Sequence, residues 1–429
     1  MTRLSGVLRA TRDSKIARNA GWVLSGELVT LASQLVMFIF ITHTFESDVY
    51  GVFVGVVSLA LFVSPFSSFG AGYLVVQRVV AKGEALVPAI LRAWTTVIVG
   101  AVVFGATLIS LRVFVIPQAT PWLVVEIIFA ELLFQQVVQV NRFVGQAIDK
   151  LWLAPAMSVS FGVSRVVFVI WYLGLRPNPT IVGWGFFYAL SGMIGAVVGT
   201  VIIWSMVGDR VRVAFPNRRD LRDGLAFSLN VSSSNIKIDA DKWLLVRMNE
   251  AAANGVYSAG YRILGLATVP NIALSDATYA RFFSASGAKE AIALAKRLAL
   301  VALVINGIGG AAMMLGATTI VRVMGDSYTE AADVLRWVAF VPLLSAWQVF
   351  AGNALSGIGH HRARLNQTIS SAVLNIVLNL ILIPSMSWRG AAIATIITEL
   401  YLVVMHWRSL WRLASQDVTA AGASAAAGT

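Results

Sequence analysis

Apolar residues run along this chain in twelve long stretches, separated by short polar turns. The stretches occupy roughly residues 21–42, 50–72, 88–111, 120–141, 151–173, 181–207, 224–246, 254–280, 296–320, 334–357, 362–384 and 389–408. Nearly all of them reach the roughly 20 residues that an α-helix needs to cross the hydrocarbon core of a bilayer. The pattern predicts an all-α integral membrane protein with about twelve transmembrane helices.

Basic residues concentrate on every second connection and on both ends of the chain. They are Arg3, Arg9, Arg12, Lys15, Arg18, Arg78, Lys82, Arg92, Arg142, Lys150, Arg210, Arg212, Arg218, Arg219, Arg222, Arg281, Lys289, Lys296, Arg297, Arg362, Arg364, Arg408 and Arg412. The other connections carry only Arg112, Arg176, Arg247, Arg322, Arg336 and Arg389. Lys and Arg stay on the cytoplasmic side during insertion, so both termini are predicted to be cytoplasmic and the number of helices even.

Composition agrees with a membrane location. Hydrophobic residues make up 58% of the chain and charged residues 13%, too few for the surface of a soluble protein of 429 residues. A net charge of +12 is explained by basic cytoplasmic turns and anionic lipid headgroups, so we expect membrane lipids and no nucleic acid as partners. Without cysteine there is no Cys-based metal site, and the four histidines are too scattered to predict a bound metal.

The chain divides near its middle. We predict an N-terminal six-helix lobe at 1–207, a basic cytoplasmic linker at 208–223, a C-terminal six-helix lobe at 224–412 and a disordered tail at 413–429, whose residues are small and polar. Connections are too short for a soluble domain, so any binding must occur among the helices.

The two halves share a weak repeat. Gly51-Val52-Phe53 is followed by Pro65 and then Arg78, and Gly255-Val256-Tyr257 is followed by Pro270 and then Arg281. Six helices per half would give a parallel repeat, with a pseudo-two-fold axis normal to the membrane and a binding site near the midplane. Pro65 and Pro270 are then candidate hinges. Chance recurrence of Gly, Pro and Arg is the alternative.

Span 7 is the most polar of the predicted helices. Lys237 and Asp241 are four residues apart and can pair on one face, while Asp239 and Lys242 are three apart and can pair on another. The charges either lower the cost of insertion by self-neutralisation or line a water-filled cavity. Three serines and two asparagines in the same run favour the cavity.

Two arginines lie inside spans with no acidic residue three or four positions away. They are Arg262 in span 8 and Arg165 in span 5. A guanidinium in a membrane cavity suits phosphate, because its planar fork binds two oxygens. For Arg262 a salt bridge to Asp241 or to Glu27 of span 1 is the equal alternative, and Arg165 has the same ambiguity.

Span 4 carries a polar stripe of Glu131, Gln135, Gln139 and Arg142 on one helix face. The first three are candidate contacts for sugar hydroxyls. Hydrogen bonding between neighbouring helices is the competing interpretation.

Three segments carry a family resemblance. They are NAGWVLSGELVTLASQLVMFIFITHTF, VYGVFVGVVSLALFVSPFSSFGAGYLVVQR and, just after DKWLL, NGVYSAGYRILGLATVPNIALSDATYARFF. The chain resembles Wzx-type polysaccharide and O-antigen flippases, within the multidrug/oligosaccharidyl-lipid/polysaccharide exporter superfamily, over about residues 15–410. The resemblance implies a flippase that moves a polyprenyl-diphosphate-linked oligosaccharide across a bacterial cytoplasmic membrane, with spans 1, 2, 7 and 8 lining its cavity.

The resemblance places Glu27, Lys237, Asp239, Asp241, Lys242 and Arg262 at that cavity. It implies alternating access, no enzymatic step and no cofactor; coupling to a proton or sodium gradient and a partnership with polysaccharide polymerase machinery stay open. Two other functions compete. A multidrug antiporter of the same superfamily would use the excess of acids, and a membrane glycosyltransferase or polymerase would need a sizeable loop that the sequence does not contain.

Overall fold

The computed structural model describes residue 26 and residues 29–150, 152–207, 215–284 and 287–427. These residues form helices joined by short turns, with no strand among them. The helices are α1 (Val29–Thr44), α2 (Ser47–Ser68), α3 (Ala71–Val76), α4 (Leu86–Val115), α5 (Pro121–Ile128), α6 (Gln135–Ala147), α7 (Leu153–Val169), α8 (Ile181–Val207), α9 (Arg218–Arg247), α10 (Ala251–Phe283), α11 (Ala288–Val321), α12 (Ala331–Val338), α13 (Val341–Gly357), α14 (His361–Met386) and α15 (Trp388–Ala427).

Several helices continue through tighter or wider turns. π-helical segments cover Gln77–Ala81 after α3, Phe129–Phe134 between α5 and α6, and Ile170–Gly174 after α7. Two 3-10 turns, Arg322–Met324 and Asp326–Tyr328, precede α12. A π-turn inserts one residue into a helix and often occurs at a functional position.

Local sequence accounts for where α9 begins. The side chain of Asn217 accepts a hydrogen bond from the backbone nitrogen of Asp220 at 2.8 Å, and Asp220 accepts one from the backbone nitrogen of Asn217 at 3.1 Å. This reciprocal cap satisfies two of the backbone donors that a helix start leaves open. It fixes the start of the helix that carries most of the charges discussed below.

Membrane-spanning character is clear for most of the chain. Among the described residues eight helical segments are long and apolar enough to cross a membrane, and the bent pair Asp326–Val338 and Val341–Gly357 makes nine. The protein is therefore a multi-pass integral membrane protein. The other three of the twelve expected spans fall on α1, which is short over its described residues, and on α9 and α10, whose polar residues lower their mean hydropathy.

The chain forms two compact units that do not follow its order. Unit 1 comprises Met1–Phe45 and Val56–Ser232, and unit 2 comprises Glu46–Gly55 and Ser233–Thr429. Residues 46–55, predicted in the N-terminal lobe, belong to unit 2, and residues 224–232, predicted in the C-terminal lobe, belong to unit 1. The reason is that α2 and α9 are long helices with different neighbours at their two ends. Residues 208–214 of the predicted linker lie outside the described part of the chain.

Each unit has its own apolar core. In unit 1 Ile90, Val97, Val144, Met157 and Ile203 bring together α4, α6, α7 and α8. In unit 2 the core is rich in alanine, with Ala295, Ala302, Ala346, Ala351 and Ala354 packed around larger side chains. Small residues let membrane helices approach closely, which gains dispersion contacts where no hydrophobic driving force exists between helices.

The last helix is longer than its apolar stretch. The backbone of α15 stays helical to Ala427, through most of 413–429, where the sequence predicts a disordered tail. After Leu413 and Val418 the segment has no large apolar residue, but it is rich in alanine, which has the highest intrinsic helix propensity.

Candidate functional site

The densest group of buried charges lies on α9 within unit 2. Lys242 Nζ lies 2.8 Å from Oδ1 of Asp239 and 3.7 Å from Oδ1 of Asp241, and it donates to the carbonyl of Ile238. The other oxygen of Asp241 accepts a hydrogen bond from the Tyr257 hydroxyl at 2.6 Å. The Asp239–Lys242 pair is the one that its three-residue spacing predicts. One ammonium between two carboxylates leaves an excess negative charge when all three are ionised.

A second ion pair connects α9 with α15. Lys237 Nζ lies 2.7 Å from Oε1 of Glu399, and both side chains are nearly buried, at 10% and 7% exposure. The predicted pairing of Lys237 with Asp241 is wrong, because tertiary packing supplies a closer partner than the local i,i+4 position. The Oε2 atom of Glu399 is buried and has no hydrogen-bond partner among the described residues. We call Lys237, Asp239, Asp241, Lys242, Tyr257 and Glu399 the unit 2 cluster.

Buried amides on α14 continue this polar region along α15. Asn375 donates to Thr398 Oγ1 at 3.4 Å, and Asn379 donates to the side-chain oxygen of Asn375 at 3.0 Å. All three side chains are fully buried. The contact of Asn375 with Thr398 joins two helices, the role that interhelical hydrogen bonds serve in membrane bundles.

Unit 1 holds a different buried cluster. The guanidinium carbon of Arg165 lies 3.9 Å from the ring centroids of both Phe161 and Tyr188, and its Nε donates to Ser191 Oγ at 3.3 Å. The Tyr188 hydroxyl in turn donates to Glu131 Oε1 at 2.6 Å. Cation–π contacts of this kind are strongest when desolvated, and Arg165 is only 6% exposed. We call these five residues the unit 1 cluster.

The residues of the polar stripe on span 4 differ in how deeply they are buried. Glu131 lies in the π-helical turn Phe129–Phe134 and is buried against Tyr188, whereas Gln135 and Gln139 lie in α6 and are half-buried. Glu131 therefore has a structural partner in unit 1, and the two glutamines are more accessible than Glu131.

The helix around Pro65 is stabilised by hydroxyl groups. Pro65 has no backbone N–H, and Ser64 Oγ donates at 3.3 Å to the Leu61 carbonyl that proline leaves open. From α9, Ser228 donates to the Pro65 carbonyl at 2.7 Å and Ser232 to the Phe62 carbonyl at 2.9 Å. These bonds hold the end of α2 against the start of α9 within unit 1.

Gly51 and Gly255, the two glycines of the sequence repeat, lie at a close contact between α2 and α10 within unit 2. A Cβ atom at Gly51 would collide with the backbone carbonyl of Ala251, and one at Gly255 with the carbonyl of Ser47. The side chain of Asn254 also donates to the Gly51 carbonyl at 2.7 Å. The two helices that carry the sequence repeat thus cross at equivalent glycines. Each glycine lies one turn after the residue that the other glycine faces.

Three further residues of the predicted site are Arg262, Pro270 and Glu27. Arg262 is half-buried on α10, and Pro270 lies within the same helix. Glu27 lies outside the described residues. After Pro270, Asn271 and Asn306 exchange side-chain hydrogen bonds at 2.9 Å, which ties α10 to α11.

Sequence reasoning missed three partners. Tyr257 and Tyr188 hold the buried carboxylates Asp241 and Glu131, and Glu399 pairs with Lys237. Tyr257 stands in the repeat signature and Glu399 is an ionisable residue in a span, so both carried a signal. Tyr188 carried none. No group of three His, Asp or Glu that could hold a metal ion occurs within the described ranges.

Comparisons with known proteins agree with these observations. The model of a family described as polysaccharide biosynthesis protein matches residues 16–286. The probable low-salt glycan biosynthesis flippase Agl15 of Haloferax volcanii is 34% identical over 84 residues, which are 20% of this chain and 18% of that protein. The chain therefore matches less than a fifth of the length of this curated relative.

Solved structures share the helical fold. The lipid II flippase MurJ in its inward closed conformation aligns with a TM-score of 0.73 and 10% identity, covering 92% of this chain and 87% of that one. A multidrug resistance MATE family transporter in its inward-facing conformation aligns with a TM-score of 0.69 and 17% identity, covering 90% and 96%. Identities this low show a common fold and nothing finer.

The family resemblance inferred from the sequence is confirmed. The family model covers more than half of the chain. This chain belongs to the polysaccharide biosynthesis protein family and has the fold of transporters of the MOP superfamily.

Proposed function

We propose that this protein is a flippase that moves a polyprenyl-diphosphate-linked oligosaccharide from the inner to the outer leaflet of a bacterial cytoplasmic membrane. Its family supports a role in polysaccharide biosynthesis, and the relative that it matches over a short segment is named a glycan biosynthesis flippase. The observation that carries the proposal is the unit 2 cluster. Ionisable groups inside a membrane protein are costly, so they mark a substrate or ion path by default.

The diphosphate is proposed to bind cations on α9 and α10. Lys237 and Lys242 already contact carboxylates, so an entering diphosphate has to compete with Glu399 and with Asp239. Arg262 on α10 offers a guanidinium fork that suits phosphate oxygens. In this proposal Arg262 contacts the diphosphate first, and the lysines exchange partners afterwards.

Unit 1 is proposed to contribute contacts of another kind. Gln135 and Gln139 are half-buried amides that suit sugar hydroxyls. Arg165 and Glu131 are both engaged within the unit 1 cluster, so we propose that they set its shape more than they bind cargo.

We also propose a specific membrane topology and mode of transport for this flippase. It consists of twelve spans, two six-helix halves in a parallel repeat, both termini in the cytoplasm, and alternating access with Pro65 and Pro270 as hinges. The basic turns and the glycine repeat support it.

A cation-coupled multidrug antiporter is the second candidate. The unit 2 cluster holds three carboxylates against two lysines, so a proton, a sodium ion or an organic cation would offset its excess charge. The same carboxylates would couple the flippase to an ion gradient. The two functions differ in their cargo, which decides the experiment.

The test compares export in the host. Deletion of the gene is expected to leave lipid-linked oligosaccharide at the cytoplasmic face and to remove a surface glycan. Arg262→Ala should lower complementation roughly tenfold, the cost of about one charge-assisted hydrogen bond, with normal membrane abundance. Arg281→Ala, an exposed arginine on the same helix, is the matched control. An intact glycan together with weaker efflux of cationic dyes would establish the antiporter instead.

A further inference from the structure

An apolar groove lies within unit 2 among α11, α13 and α15. Its volume is about 550 Å³, inside the range of about 300–1,000 Å³ that small-molecule sites occupy. Trp347, Trp407 and Trp411 line it together with Lys296 and Arg408. All five residues lie beyond residues 16–286, which the family model matches. No member of the unit 2 cluster lines the groove, although Glu399 lies on α15, which also carries Trp407, Arg408 and Trp411.

Charge distinguishes this groove from another one. A groove of about 230 Å³ in unit 1 is lined by apolar residues alone, among them Ile98, Val102, Val125 and Phe129. The unit 2 groove adds two exposed cations, Lys296 and Arg408, to an equally apolar wall. A wall of this composition suits a hydrocarbon chain, and the two cations suit an anionic headgroup.

A buried donor supports a ligand with acceptor oxygens. Trp407 is 7% exposed, and its indole Nε1 has no hydrogen-bond partner within the described part of the chain. The neighbouring Trp347 differs, because its Nε1 donates to the Ala299 carbonyl at 3.2 Å. A buried N–H without an acceptor is costly, so one is usually supplied by a bound molecule or by water. A phosphate or ester oxygen of a lipid would meet this need.

We propose that the groove binds an acidic membrane phospholipid, with an acyl chain along the tryptophans and the phosphate between Lys296 and Arg408. Both cations belong to basic segments that the sequence assigns to the cytoplasmic side, where acidic lipids attract Lys and Arg. A zwitterionic lipid carries its own cation beside the phosphate and gains less from this pair. The site does not rest on the proposed cargo, since it would serve a flippase and an antiporter alike.

Lipid retention tests the charge part of the proposal. The full chain is reconstituted in nanodiscs of equal phosphatidylglycerol and phosphatidylcholine, extracted, and its retained lipids are quantified by mass spectrometry. Lys296→Gln and Arg408→Gln should each lower the retained phosphatidylglycerol-to-phosphatidylcholine ratio about fivefold. Arg297→Gln, an exposed neighbour outside the groove lining, should leave the ratio unchanged. Equal ratios in all four proteins, or an equal fall in the control, would overturn the proposal.

Tryptophan quenching tests the position of the lipid. Phosphatidylglycerol brominated in its acyl chains should quench the protein more than brominated phosphatidylcholine does. Trp407→Phe together with Trp411→Phe should remove most of that excess and leave the part due to Trp347. Trp171→Phe, which removes an exposed tryptophan of unit 1, should keep it. Excess quenching that the double substitution leaves undiminished would place the acidic lipid elsewhere and refute the assignment.

Discussion

The two units hold buried charge in different ways. In unit 1 the guanidinium of Arg165 lies over two aromatic rings, and the hydroxyl of one of them, Tyr188, donates to Glu131. In unit 2 two ammonium groups lie against three carboxylates. An aromatic face stabilises a cation without cancelling its charge, whereas a carboxylate neutralises it. A proton or a competing anion that reaches the unit 2 cluster therefore changes the balance between its lysines and its carboxylates.

The largest expected effect comes from removing the shared cation of unit 2. Lys242→Met leaves Asp239 and Asp241 facing each other without their ammonium. Breaking a buried ionic group in this way costs about 3–5 kcal/mol. We expect a large fall in membrane abundance and in the midpoint of thermal unfolding in detergent, measured by size-exclusion chromatography of heated samples.

The control for that experiment lies on the same helix. Arg247→Met removes an exposed cation at the end of α9 and should change the midpoint little. Adding Asp239→Asn and Asp241→Asn to Lys242→Met should recover much of the loss, because no uncompensated charge remains. If Lys242→Met alone were as stable as the wild type, the charge balance ascribed to unit 2 would be wrong.

Two tyrosines allow a matched comparison of the units. Tyr188 and Tyr257 each donate a hydroxyl at 2.6 Å to a buried carboxylate, Glu131 in unit 1 and Asp241 in unit 2. Replacing either by phenylalanine removes a hydrogen bond to a carboxylate, worth about 1.5–3 kcal/mol when that group is charged. We expect Tyr188→Phe and Tyr257→Phe to lower the unfolding midpoint by similar amounts.

A difference between the two variants would identify a protonated carboxylate. A neutral acid accepts a weaker hydrogen bond, so the unit that contains it should lose less on substitution. The measurement should be repeated at a lower pH, where a carboxylate that is charged at neutral pH is neutralised and its variant loses less. Equal and pH-independent losses would show that neither acid titrates in that range.

The smallest loss of stability is expected from glycine-to-alanine substitutions at close contacts, and it should be similar in the two units. Gly224 in unit 1 faces the backbone carbonyl of Phe69, as Gly255 in unit 2 faces that of Ser47. Alanine at either position forces its helix away from the backbone that it faces and should cost about 1–3 kcal/mol. Gly265→Ala is the control, because a Cβ there would meet no atom within 4 Å beyond the backbone of its own helix. A tolerated Gly255→Ala would contradict the close crossing of α2 and α10.

Sequence patterns predicted the fold better than the contacts of its charges. Hydropathy and alternating basic turns were enough for a multi-pass helical protein, because both follow from the bilayer itself. The partner of Lys237 could not be derived this way. Spacing along a helix finds Asp241, but Glu399 comes from α15, 162 residues later. Only tertiary packing decides between a local and a distant acid.

The same limit applies to Arg165. With no acid three or four positions away, the sequence suggested a ligand or a distant salt bridge for this arginine. The structure shows aromatic faces, Phe161 from its own helix and Tyr188 from α8. Aromatic residues are too frequent in membrane helices for their pattern to single out such a contact. By contrast, the glycine repeat at 51 and 255 was visible because close backbone approach permits few other residues.

The way in which α2 is shared between units has a consequence for biosynthesis. Residues 46–55 belong to unit 2 but leave the ribosome before most of unit 1. The Gly51 carbonyl can accept its hydrogen bond only after Asn254 has been synthesised. The carbonyls of Pro65 and Phe62 likewise accept theirs only after Ser228 and Ser232 have been synthesised. Neither unit can complete its packing while only half of the chain has been translated. Insertion therefore runs ahead of folding, because unit 1 needs residues of α9 and unit 2 needs α10 and the helices that follow it.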